Sequence, residues 1–553
     1  MLELNNKIKK ILYVGSKSQY GYTYQNWYFA LEEICDKLIS YDPHWNTMCF
    51  GEEIMNKTFL KYIEKEKPDI IFFLGGLIEF SFDSLLKIRE INPVTQTIAT
   101  FGDEDIFFEG LYSYLPLFFD FILTGEKKYL SRYSKLGFKN IFYITGINTR
   151  LFRPLNLEKR YDVVFIGHPT PEKSGRYETI KFLKDNNVNI TLFGRAWENY
   201  PEFKEIYKGV LTNERMIEII NQSKIILGLS RSAYGELQLK GKVFENAACK
   251  AFNLVEYYEE YLDFFNEEKE IVLFKDKRDL LEKINYFLKH EEERKKIAEA
   301  SYKKLLKYYN FDVELRKVIN KVYSKKKLLD HRKLPSINKK IISLSEKDLK
   351  NSIKSIKEKI CSYDYLTFSL GFHEDFKYRK YIQTYTLEKS KKPISLCNYA
   401  IHNKHMGDYL VLDIRKAFKT LSEKDFYLVI NLNQIMVKKE FFLNNFKKFK
   451  KLMENEKIYF INQENTIFIF SPLIRLNKIP IKNYGIIKRS FNLKFIHQLY
   501  SLKYRRRFLL KYLPAFLFEI LKGNLFLLKG IIDALKDKDR RNMLKRYERE
   551  SKN

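Results

Sequence analysis

Three short apolar runs, each stopping at or beside a glycine, dominate residues 161–229 and dictate how that part of the chain must fold. Asp162-Val-Val-Phe-Ile166 turns at Gly167-His168-Pro169, and Asn189-Ile-Thr-Leu-Phe193 stops at Gly194-Arg195-Ala196-Trp197. Lys224-Ile-Ile-Leu-Gly-Leu229 precedes a helical pattern containing Lys242-Val-Phe-Glu-Asn-Ala-Ala-Cys249. Runs this short, rich in Val, Ile and Phe and separated by helical segments, predict a parallel sheet with helices on both faces. Ligands of such sheets bind outside the carboxyl ends of the strands. Gly167, Gly194 and Arg195 fall there, so a binding site is expected there.

The preceding residues repeat the pattern. Lys10-Ile-Leu-Tyr-Val14 ends at Gly15, Pro68-Asp-Ile-Ile-Phe-Phe-Leu74 at Gly75-Gly76, and Gln96-Thr-Ile-Ala-Thr-Phe101 at Gly102-Asp-Glu-Asp105. Phe119-Asp-Phe-Ile-Leu123 and Asn140-Ile-Phe-Tyr-Ile144 complete a doubly wound domain over 1–150. Its first turn carries neither Gly-Lys-Ser/Thr nor G-x-G-x-x-G, so it is not a phosphate loop of either kind. Residues 148–160, with Pro154, read as a linker, and a second domain runs over 151–325 and turns helical from Asp279.

Charge and cysteines narrow the partners. The 553 residues carry a formal net charge of +30, which favours anionic ligands, although a Lys-, Ile-, Asn-, Tyr- and Phe-rich composition also arises from AT-rich coding. No helix-turn-helix, RRM or zinc pattern accompanies the charge, so nucleic acid is not expected as a partner. Cys35, Cys49, Cys249, Cys361 and Cys397 form no C-x-x-C pair, which implies neither a disulfide framework nor a zinc site. The first ten residues lack an apolar signal region, and no run approaches the ~20 apolar residues of a membrane span. A cytoplasmic protein able to sit on the inner face of the cell membrane is the expectation.

Two α/β domains joined by a short linker and closed by helices describe the GT-B architecture: two Rossmann-like domains facing a cleft. Residues 162–309 resemble the spore-maturation (CgeB-like) glycosyltransferases, a GT-B branch related to the large retaining family 4. The resemblance lies in Val163-Val-Phe-Ile-Gly167 with Arg176, Leu192-Phe-Gly-Arg-Ala-Trp197, Tyr207-Lys-Gly-Val210, Lys242-Val-Phe-Glu-Asn-Ala-Ala-Cys249, Glu270-Ile-Val-Leu-Phe274 and Asp279-Leu-Leu-Glu-Lys-Ile284. It implies a transferase that takes a nucleotide-sugar as substrate, needs no cofactor and no metal, and retains anomeric configuration. The acceptor implied is a cell-surface glycan, glycolipid or protein.

Holding a diphosphate requires cations or backbone N–H groups at helix starts. No Asp-x-Asp motif stands at a strand end of the second domain, which leaves Gly167, His168, Arg176, Arg195, Lys242 and Lys250 as donor-side candidates. Lys242 stands where relatives carry Arg, and Glu245 matches the glutamate that holds the ribose hydroxyls in such enzymes. Each has an ordinary alternative: exposed helix arginine for Arg176, loop residue for His168 and Arg195, dipole-favoured helix glutamate for Glu245. Relatives read Ala-Cys-Gly where this chain has Ala248-Cys249-Lys250, so Lys250 either adds a phosphate contact or blocks the pocket. The blocked case is the alternative reading, a non-catalytic GT-B scaffold. On the acceptor side Asp103 and Asp105 are the candidate base or orienting pair, or else carboxylates capping the next helix.

Beyond a basic linker at 326–340, an α/β accessory module is expected over 341–490. Its strands are read at 364–369, 392–397 and 426–430, with a helix at 440–446 and a hairpin formed by 457–461 and 466–470. The module loosely resembles the later part of a family 2 (GT-A) glycosyltransferase and reads as degenerate and non-catalytic; His402 and His405 are a lone pair three apart and are not expected to form a metal site. The tail, 491–553, is basic and amphipathic: from Ser501 onward it has 15 Lys and Arg against 6 Asp and Glu. It reads either as a segment lying among anionic headgroups or as helices packed on the protein's own core.

Overall fold

The computed structural model describes residues 8–453, apart from 17–20, 51, 76–78, 170–173, 233–234, 325–333, 335, 346, 349–350, 370–372, 376–377, 404–406 and 411–434, together with 466–476. Within these, β1 (Ile8–Val14), β2 (Cys35–Tyr41), β3 (Ile70–Leu74), β4 (Gln96–Phe101), β5 (Phe121–Thr124) and β6 (Ile141–Tyr143) form a parallel sheet in the order β2-β1-β3-β4-β5-β6. A second parallel sheet holds β7 (Tyr161–Ile166), β8 (Ile190–Phe193), β9 (Ser223–Gly228), β10 (Asn253–Glu256) and β11 (Val272–Phe274), in the order β11-β10-β9-β7-β8. Both are doubly wound with one topological switch, which in the second sheet lies between β7 and β9.

The strand composition explains the layering. Every residue of β3 and β4 is buried, as expected of strands covered on both faces. Along β3, Ile71 and Phe73 join one core with Phe59 and Leu85, whereas Ile70 and Phe72 join the opposite core with Leu31 and Ile34. Side-chain caps fix several helix starts: Ser81 Oγ accepts from Ser84 N, Thr212 Oγ1 from Arg215 N, and Asp276 from the N–H groups of Arg278 and Asp279.

One helix crosses the boundary drawn from sequence. Residues Phe311–Ser324 were assigned to the second domain, but Leu315, Ile319 and Val322 pack under the first sheet with Ile11, Tyr13 and Ile98. Their amphipathic stripe needs an apolar face and does not specify which one. The chain therefore crosses between domains twice, and the crossings lie side by side. Ile147 N donates to Tyr309 O at 3.1 Å and Phe311 N to Ile147 O at 3.0 Å. Gly146 makes that approach possible: its φ is +143°, and a Cβ there would lie 2.5 Å from Tyr309 O.

A mixed third sheet joins β12 (Ile341–Ser345), β13 (Tyr365–Ser369), β14 (His373–Asp375), β15 (Ile394–Asn403), β16 (Gly407–Leu410), β17 (Ile435–Lys438) and β18 (Thr466–Leu476). The segment read as a hairpin arm at 466–470 instead begins β18, which runs parallel to β15 and antiparallel to β14. Its supposed partner at 457–461, the strand read at 426–430, His405 and the tail 491–553 lie outside the described residues. The module leans on the first domain, where Ile382, Tyr385 and Cys397 share a core with Phe118 and Tyr133. Among the described residues no helix is long and apolar enough to cross a membrane.

Candidate active site

A cavity of about 730 Å³ lies between the two α/β domains. On the second-domain side it is walled by the ends of β7 and β9, the switch point of that sheet, and by the start of helix Gly241–Ala248. On the first-domain side it is walled by the residues following β4, β5 and β6 and by Asn26 and Trp27 of helix Tyr22–Glu32.

Glycines shape the second-domain wall. Gly167 N donates to Phe193 O at 2.9 Å, and Trp197 Nε1 donates to Gly167 O at 2.8 Å. Gly194, at φ +132°, lies so close that a Cβ on it would stand 2.0 Å from that same oxygen. The strand ends are thus locked together, and His168 is fixed at the rim, its Nδ1 3.2 Å from Arg195 O. Burial pushes the His168 imidazole below its usual range, and Lys242, Arg176 and Arg195 push the same way, while the Arg195 carbonyl opposes them.

Arg176 and Lys242 meet at this wall from different helices. Arg176 opens helix Arg176–Asp185, and its guanidinium donates to Arg231 O at 3.0 Å and His168 O at 3.4 Å. Its Nε is buried without a hydrogen-bond partner among the described residues. Burial lowers the guanidinium's pKa and Glu256 partly restores it. Lys242, half-buried in the first turn of helix Gly241–Ala248, donates from Nζ to Ile166 O at 2.6 Å. Burial lowers its pKa also, Glu245 opposing and Arg176 adding to the effect. Glu245, 5% exposed, stands one turn further on the same helix and lines the cavity. The structure therefore brings Gly167, His168, Arg176, Lys242 and Glu245 to one wall.

Two donor-side candidates are elsewhere. Arg195 is exposed and does not line the cavity, because the positive φ of Gly194 turns the following residue outward and leaves its carbonyl facing His168. Lys250 sits past the carboxyl end of helix Gly241–Ala248, not at its start. It has φ +56°, its N–H donates to Ala247 O, and Ala251 N donates to Asn246 O, the hydrogen bonding of a left-handed helix stop. Its ammonium pairs with Glu299. Position 250 is thus a left-handed helix stop, the conformation that favours glycine, and Lys250 does not line the cavity. Lys250→Gly should leave nucleotide binding unchanged. It should raise stability by about 0.5 kcal/mol, the relief of a left-handed side chain less a surface ion pair, as read by denaturant midpoint.

On the opposite wall Asp103 lines the cavity in a left-handed conformation before the helical turn Glu104–Phe107, in which Asp105 lies; the Asp105 side chain is outside the described ones. Sequence reading passed over the residue between them. Glu104 is fully buried, its Oε1 accepts from Thr124 Oγ1, and its Oε2 has no hydrogen-bond partner among the described residues. Glu126, also buried, lines the cavity beside it and pairs with Lys128 at 3.4 Å. The missed signal was the pattern itself: a carboxylate at each of two neighbouring strand ends, after β4 and after β5. Among the described residues, no group of three or more His, Cys, Asp or Glu is placed to hold a metal.

Comparison with known proteins bears on the same region. A glycosyl transferase-like family model matches residues 176–320. Spore protein CgeB of Bacillus subtilis (strain 168) is 25% identical over 304 residues, 50% of this chain and 92% of that protein. A crystal structure of a glycosyltransferase from Rickettsia africae ESF-5 is 14% identical, spans 58% of this chain and 99% of its own, and has a TM-score of 0.43. Anabaena Alr3699/HepE, in complex with UDP and glucose, is 10% identical, spans 57% and 99%, and has a TM-score of 0.41.

Proposed function

We propose that the chain is a CgeB-like glycosyltransferase of the GT-B fold and that it moves a sugar from a nucleotide-sugar donor to a hydroxyl of a surface glycan, glycolipid or protein, a reading supported by its similarity to spore protein CgeB and to the glycosyl transferase-like family model. The observation that carries this reading is the division of charge across the cleft. Arg176, Lys242 and the start of helix Gly241–Ala248 stand on the second-domain wall, and carboxyl groups stand on the first. A diphosphate is drawn to cations and to backbone N–H groups at a helix start. Arg176 and Lys242 take up the charge that develops on the leaving diphosphate, which is the electrostatic task of a transferase that works without a metal. Glu245 accepts from the two vicinal ribose hydroxyls, and neutral His168 contacts the donor at the rim. Retention of anomeric configuration follows the resemblance to family 4 enzymes.

The test is a thermal-shift series with UDP, GDP, CDP, dTDP and ADP and their common sugar conjugates, each in magnesium and in EDTA. A ligand present at a hundredfold its Kd adds about 2.7 kcal/mol to stability. One nucleotide class should shift the protein, equally in magnesium and EDTA, and its sugar conjugate should be turned over. A shift that needs magnesium would remove the metal-independent step, and no shift with any of them would remove the nucleotide donor.

A further inference from the structure

We propose that Glu104, held in place by Thr124 in the first-domain wall of the cavity, is the carboxyl group that receives the acceptor's hydroxyl proton. This rests on the transferase reading above and assigns its acceptor side.

Three observations carry it. Glu104 is fully buried yet lines the cavity. One of its oxygens is tied to Thr124 Oγ1, which fixes the carboxyl plane, while the other has no hydrogen-bond partner among the described residues. A buried carboxylate oxygen left without a partner is unfavourable by about 1–3 kcal/mol or more, and such groups concentrate where a ligand supplies the missing contact. An alcohol hydroxyl is the group that suits this oxygen, because it can donate to a carboxylate and accept from a carboxylic acid. A phosphate or carboxylate would instead meet the carboxylates of Glu126 and Asp103 beside it as like charges.

The surroundings tune the group. Burial pushes the Glu104 carboxyl up to about 8, with Glu126 and Asp103 acting in the same direction and the Thr124 hydrogen bond opposing. Tyr133, from helix Tyr129–Lys135, also faces it, and Lys128 is engaged with Glu126. A carboxyl near 8 is a much stronger base than an ordinary glutamate, and at pH 7 roughly a tenth of it is ionised. The step balances as follows. The acceptor oxygen bonds to the anomeric carbon, and its proton passes to Glu104 Oε2. The bond from that carbon to the phosphate oxygen breaks, and its electron pair leaves on the nucleoside diphosphate, beside Arg176 and Lys242. Solvent then takes the proton from Glu104. This accounting holds for attack on either face of the sugar.

The experiment uses the full chain, the nucleotide-sugar selected by the thermal-shift series, and two acceptors, water and octyl glucoside. Turnover should rise with pH through a midpoint near 8 and level off roughly one pH unit above it, because the ionised carboxyl is the active form. Glu104→Gln should bind the nucleotide as tightly as the parent, lose about a hundredfold or more in turnover, and show a flat pH profile. Thr124→Val, which removes the hydrogen bond that favours the ionised form, should move the rise to higher pH. Absence of turnover by the parent protein would sink the transferase reading itself. Parent turnover that Glu104→Gln leaves at full rate, or a rise that Thr124→Val leaves in place, would overturn the role of Glu104 alone. Should Glu104→Gln not fold, the Thr124→Val profile decides.

Discussion

Replacing Gly194 by alanine should destabilise the second domain by about 3–5 kcal/mol, although the change adds one methyl group. Two independent effects combine. The backbone holds φ +132°, a region that side chains avoid, and the new Cβ would stand 2.0 Å from Gly167 O. That oxygen cannot retreat easily, because it accepts from Trp197 Nε1 and its own residue's N–H is tied to Phe193 O. Gly209 supplies the control, since at φ +96° it has nothing within 4 Å of an added Cβ. Gly209→Ala should show only the backbone effect, about 1 kcal/mol. On a domain of this size the difference corresponds to roughly 10 °C in Tm. Equal melting of the two variants would show that the strand ends are not locked as described. Because Gly167 leads directly to His168, any surviving fold of Gly194→Ala should also bind nucleotide more weakly.

How much of this was readable in advance depends on whether the signal was local. Strand runs ending at glycine are local, and β1, β3, β4, β5 and β7 to β9 lie where the alternation of apolar runs and turns put them. The partner of an amphipathic helix is not local, which is why the sequence groups Phe311–Ser324 with the second domain although the helix packs under the first sheet. On the second-domain wall of the cavity, Arg176 was legible as the residue opening the helix that follows β7, whereas other positions were illegible because backbone conformation intervened. Arg195 follows a glycine in a positive-φ turn, so sequence adjacency to the site does not deliver its side chain there. Lys250 shows the same lesson from the other end of a helix: its position beside the site in sequence suggested a ligand contact or a blocked pocket, whereas the backbone there forms a left-handed helix stop. Glu104 was missed for a third reason. Among three consecutive acidic residues, burial decides which one matters, and burial is set by Thr124 and Tyr133 from elements 20 or more residues away.

Removing the Glu245 carboxylate should separate the two halves of donor recognition. If Glu245 holds ribose hydroxyls, Glu245→Ala loses hydrogen bonds to a charged group, which contribute about 1.5–3 kcal/mol, so nucleotide affinity should fall about 10- to 150-fold. Inorganic pyrophosphate carries no ribose and should bind Glu245→Ala at least as well as the parent, since a negative charge close to Lys242 has been withdrawn. Arg176→Ala and Lys242→Ala should do the opposite and weaken pyrophosphate and nucleotide together. Glu245→Gln retains one acceptor oxygen and should fall between parent and Glu245→Ala for the nucleotide. The helix itself should survive, because Val243, Phe244, Ala247 and Ala248 bury its apolar face in the second-domain core independently of Glu245. Calorimetric titration with both ligands reads the outcome. If Glu245→Ala weakens pyrophosphate and nucleotide by the same factor, Glu245 acts by placing Lys242 and not by touching ribose, and the donor must lie along the wall in another orientation.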